Sequence, residues 1–74
     1  MISMKYLVIV EKSENGFGAY VPDLPGCVAA AETRAKVVSL IQEAIEFHIE
    51  GLKKSGDPIP SPKSQSELVD VHAA

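Results

Sequence analysis

The sequence predicts an α+β domain with the element order β-β-β-α-β, in which a four-stranded mixed sheet is covered on one face by one long helix. Three features point to it. A β-branched run, "MKYLVIVEK", is followed by "SENG" and a short return segment; the "VPDLPGCV" stretch places two prolines and a glycine beside a strand; and a long apolar-periodic segment separates Thr33 from Gly56. All of it fits one domain spanning 1–74.

The first strand is expected over Met4–Lys12, with Asn15-Gly16 as a type I′ hairpin signal and "FGAYVP", Phe17 to Pro22, as the returning strand. Leu24-Pro25-Gly26-Cys27 fits a type II turn, because Pro25 presets φ at the second position and Gly26 supplies the positive φ needed at the third. "CVAAA" makes a third strand. Thr33 then reads as the N-cap of a helix that closes on Lys53 and Lys54, with Gly56 just beyond; the two lysines complement the helix dipole. "DPIPSPKSQS", Asp57 to Ser66, reads as a proline-punctuated surface connector, and "ELVDVH" as a short last strand.

Hairpin links make the first three strands an antiparallel meander. A helical crossover lets the fourth run parallel to the first, giving the sheet order 3-2-1-4. Both faces of the first strand are apolar, with Leu7 and Ile9 on one and Tyr6, Val8 and Val10 on the other, yet one helix covers only one face. The apolar arc of the helix is about twice as wide as packing on one sheet requires. Self-association as a dimer or larger is therefore expected, through the flank carrying Leu40 and Phe47 or through the uncovered sheet face.

Composition narrows the function classes. A 74-residue chain sits near the size where one core leaves only ~3–5 kcal/mol of net stability without a staple. A single cysteine forms no internal disulfide, and one cysteine with two distant histidines matches no zinc spacing, so a partner or a second copy is the remaining device. No metal or other cofactor is implied. No apolar run approaches a membrane span and no signal peptide is apparent, which makes the cytoplasm the expected compartment. With a net charge of −3 and scattered basic residues, direct nucleic-acid binding by this chain is not expected.

The segment "YLVIVEKSENGFGAYVPDLPGCVAAAET", the helix with "EAIEFHIEGL" and the exit "GDPIPSP" together resemble the N-terminal domain of HicB-like antitoxins over nearly the whole chain. The resemblance implies a partially degraded ribonuclease-H-like fold that binds a small HicA-type toxin ribonuclease and holds it inactive. Two departures from the family pattern stand out. A C-terminal helix-turn-helix or ribbon-helix-helix domain is not expected after "ELVDVHAA", so operator binding is not carried over. Lys36 at the third helical position cannot complete a capping box with Thr33.

Candidate side chains follow from both readings. Tyr20, Asp23 and Leu24 are expected to face a partner, while Pro22, Pro25 and Gly26 shape the corner that presents them. The alternative function is a homo-oligomeric regulatory module without a toxin. Enzymatic activity is not expected: the first strand lacks the clustered carboxylates that two-metal phosphodiester chemistry needs. Cys27 reads as a small buried apolar residue, His48 as a neutral histidine in the core or at a dimer contact, and His72 as solvated. Glu43, Glu46, Glu50 and Lys54 occupy the helix arc opposite the apolar one and read as a solvated face, with attraction of a basic toxin as the functional alternative.

Overall fold

The computed structural model describes residues 4–73. Strand β1 (Ile9–Ser13) pairs antiparallel with β2 (Gly16–Tyr20), which pairs antiparallel with β3 (Val28–Ala31). The register sets Val10 opposite Ala19 and Ala19 opposite Ala29, and these small side chains lie on the face that packs on the helix. Because side chains alternate along a strand, the neighbouring row of Ile9, Tyr20 and Val28 falls on the other face.

Helix α1 (Arg34–Ser55) has the limits its end residues dictate. Thr33 is extended, and its side chain accepts the Lys36 backbone N–H at 3.1 Å. Gly56 adopts φ 74°, a left-handed conformation that favours glycine. The Gly56 N–H donates to the Lys53 carbonyl at 3.2 Å and the Asp57 N–H to the Leu52 carbonyl at 3.0 Å, which satisfies the last turn. Val37 and Ile41, one turn apart, are buried against Ala19, Val21, Leu24 and Cys27, with Ala44 and Ile45 extending the stripe.

Three expectations are corrected. The sheet has three strands in the order β1-β2-β3, not four in the order 3-2-1-4, so the four-stranded ribonuclease-H-like arrangement is not the one adopted. "ELVDVH" has strand-forming composition but no regular structure, and Leu68, Val69 and Val71 are exposed. The reason lies upstream of it: Tyr6 and Asp23 hold the connector at Pro60 and at Lys63–Ser64, three residues outside the ladder end where Ile9 faces Tyr20. This leads the chain across the end of the sheet and not alongside β1. β1 itself starts at Ile9 and not Met4, because β2 ends opposite it and turns away into the corner.

The hairpin turn also differs from the expected type I′ at Asn15-Gly16. Ser13 pairs with Gly16, so Glu14 and Asn15 are the turn residues, and neither has positive φ. Gly16 is needed for a different reason. A Cβ there would run into the backbone of Ala31 and lie 3.1 Å from the Glu32 Cα, so the glycine lets the end of β3 approach closely.

Candidate partner interface

The corner between β2 and β3 is two turns locked into one loop. The Leu24 N–H donates to the Val21 carbonyl at 3.1 Å, and the Cys27 N–H donates to the Leu24 carbonyl at 3.1 Å. The Val21 N–H closes the loop on the Cys27 carbonyl at 3.2 Å. Pro22 and Pro25 each occupy the second position of a turn, and Gly26 has φ 84°, as a type II turn requires. Pro22, Pro25 and Gly26 are exposed, whereas Leu24 has no exposed surface and packs in the core. Leu24, expected to reach a partner, is thus the plug that fastens the corner to the helix.

Asp23 is committed to a contact that sequence spacing could not reveal, 40 residues away. Its carboxylate accepts the Lys63 N–H, the Ser64 N–H and the Ser64 hydroxyl, each at 2.8 Å. These bonds, with those from Ser64 the strongest influence, hold the carboxyl below its usual pKa. Nearby, the Tyr6 hydroxyl donates to the Pro60 carbonyl, and burial first, then the Asp23 charge, raise its pKa. Residues 57–64 therefore form a strap fastened at two points.

Because the folded-state pKa of Asp23 is lowered, its contribution is complete above the ordinary carboxylate value and lost as pH falls through the folded one. Amide exchange at Lys63 and Ser64, corrected for the intrinsic pH dependence, is expected to be slow near neutrality and to lose protection only at a pH below the ordinary carboxylate range. Asp23→Ala should remove that protection at every pH while α1 stays protected. Unchanged exchange at Ser64 in the variant would show that the strap is held elsewhere.

The helix-free face of the sheet carries the row Ile9, Tyr20 and Val28, with Tyr20 41% and Val28 65% exposed. Tyr20, expected to face a partner, lies in this row; its row-mates Ile9 and Val28 were not singled out by the sequence, because their placement depends on the register of the strands. Leu40 and Phe47 lie on α1, and Phe47 is 82% exposed. They are not brought to the Tyr20 row, because α1 packs on the opposite face of the sheet. His48 is half-buried and lies outside the core cluster expected to hold it. Cys27 is buried, and burial pushes its thiol pKa up, which disfavours the nucleophilic thiolate.

Among the described residues, no group of three or more histidine, cysteine or acidic side chains is placed to hold a metal ion. No described helix is long and apolar enough to cross a membrane. The site is thus a proline-glycine corner fixed by three backbone hydrogen bonds beside an exposed apolar sheet row, in a small α+β domain. Residues 6–73 match the HicB-like antitoxins of bacterial toxin-antitoxin systems, and the chain belongs to that family.

A UPF0150 protein of Thermoplasma acidophilum is 42% identical over 71 residues, covering 95% of this chain and 100% of that protein. Antitoxin HicB 2 of Photorhabdus laumondii is 29% identical over 77 residues, covering 97% of this chain and 52% of its own length. The chain thus spans a whole small relative but about half of a longer one. Among solved structures, a chain of the HicA3 and HicB3 toxin-antitoxin complex is similar with a TM-score of 0.69 and 38% identity, covering 81% of this chain and 70% of that one.

Proposed function

We propose that this chain is an antitoxin domain that binds a HicA-type toxin ribonuclease in the cytoplasm and keeps it inactive by occupying its surface, with no catalysis of its own. The observation that carries this reading is the likeness, at 38% identity, to a chain of the HicA3 and HicB3 complex. The row Ile9, Tyr20 and Val28 supplies an apolar contact, and the locked corner beside it supplies a fixed shape that loses little entropy on binding. A net charge of −3 and the acidic face of Glu43, Glu46 and Glu50 suit a basic, RNA-binding toxin, and steering by these charges weakens as salt is added. Asp23 acts here through the strap, and Leu24 through the core.

The test is recovery of partners of the tagged chain from its native cells, followed by titration of the recovered toxin and assay of its RNA cleavage. One small basic protein in fixed ratio is expected, with cleavage suppressed on binding. The pair Tyr20→Ala and Val28→Asp should weaken binding by at least about tenfold without lowering the melting temperature. Recovery of the chain without such a protein overturns the toxin-binding role. That outcome would favour the second reading, a homo-oligomeric module, for which the exposed Phe47 beside Leu40 is the supporting observation.

A further inference from the structure

Two segments of this chain have β-forming sequences and no strand partner. Residues 4–8, "MKYLV", precede β1, and residues 66–72, "SELVDVH", follow the strap. Among the described residues, neither takes part in a backbone–backbone hydrogen bond outside the regular elements, and neither lies in such an element. β1 is an edge of the sheet, so its outer side adds a row of unpaired backbone groups to those of residues 4–8.

We propose that residues 66–72 are a donor strand that pairs with the outer edge of β1 and residues 4–8 of a second copy of this chain, reciprocally in a dimer. Four observations name the occupant. The tail is free of proline, unlike the strap, which has Pro58, Pro60 and Pro62, so every tail residue offers a backbone N–H. Its apolar side chains are left in water: Leu68 is 98%, Val69 72% and Val71 81% exposed. An open groove of about 910 Å³, lined by Tyr6, Val8, Ile41, Ile45, Ile49 and Ile59, lies along the same segment on the helix side. Val69 and Val71 share one face of a strand and suit that groove. Charge is compatible as well, since the acceptor stretch carries Lys5, Glu11 and Lys12, a net +1, and the donor carries Glu67 and Asp70.

The pairing is placed between copies because the single copy does not make it. Tyr6 and Asp23 fix the connector at Pro60 and Ser64 beyond the end of the ladder, and among the described residues the sheet contains no strand from 66–72. The longest dimension, 51 Å against 27 and 21 Å, fits a tail that stands off the body. The outer edge of β3 is a poorer acceptor: that strand is four residues long, and Phe17 to Tyr20 of β2 already fill its other side.

The purified chain, without any toxin, should be a dimer by light scattering. Val69→Asp with Val71→Asp should weaken dimerisation by at least about tenfold, while the helical circular dichroism signal stays unchanged, because neither side chain packs in the single copy. In a mixture of labelled and unlabelled chains, a cysteine at Asp70 of one copy should form a disulfide with a cysteine at Lys5 of the other. A dimer insensitive to the tail variant but dissolved by Leu40→Asp with Phe47→Asp would overturn the proposal in favour of the helix flank. A chain that stays monomeric up to millimolar concentration would overturn it outright. Because no toxin enters these measurements, their failure leaves the antitoxin reading standing.

Discussion

Leu24→Ala is expected to leave little folded protein at room temperature. The side chain has no exposed surface and lies in the core with Val21, Cys27, Val37 and Ile41, joining the corner to the helix. Truncating a fully buried leucine costs about 2–5 kcal/mol, the larger part of the ~3–5 kcal/mol a domain of this size retains. Relaxation into the cavity is limited here, because three backbone hydrogen bonds and two prolines hold the corner in one shape. Thermal and urea unfolding followed by circular dichroism measure the effect. A melting temperature within a few degrees of wild type would mean that the corner does not depend on its plug. Tyr20→Ala, exposed at the edge of the same corner, should be nearly neutral for stability and serves as the comparison.

Gly16→Ala should destabilise the sheet for a reason unrelated to turn preference. The added methyl would collide with the backbone of Ala31 and sit close to the Glu32 Cα, and backbone atoms cannot swing aside as a flexible side chain can. Relief requires β2 and β3 to separate where Phe17 faces Ala31, so the cost should reach the upper part of the about 1–3 kcal/mol typical of overpacking. Gly51→Ala provides the opposite sign. A Cβ there meets nothing within 4 Å, and replacing a mid-helix glycine by alanine stabilises by about 0.5–1 kcal/mol. If the two variants shift the denaturant midpoint in the same direction, the close approach at Gly16 is not what constrains that position.

These outcomes bear on the proposed function because the surface proposed to meet the toxin is built on the same elements. The corner presents Tyr20 only while Leu24 holds it to α1, and the row Ile9, Tyr20 and Val28 stays in line only while β2 and β3 keep register. Loss of toxin binding in Leu24→Ala or Gly16→Ala would therefore report unfolding and not a contact residue. The Tyr20 and Val28 substitutions are the ones that read the interface itself.

Local chemistry written in the sequence settled much of the fold. Thr33 and Gly56 bound the helix because their caps involve residues within four positions, and Pro25-Gly26 made the type II turn because its φ requirements are intrinsic to those two residues. The antiparallel meander followed from short connections. Tertiary structure alone decided the rest, wherever the deciding partner is distant along the chain. Asp23 meets Lys63 and Ser64 only in the folded state, where the connector is held beyond the end of the ladder and the sheet has three strands in place of four. Leu24 became core and Gly16 a close-approach residue because α1 and β3 lie against them. Burial is a property of the packed neighbours, which residue type and spacing do not encode.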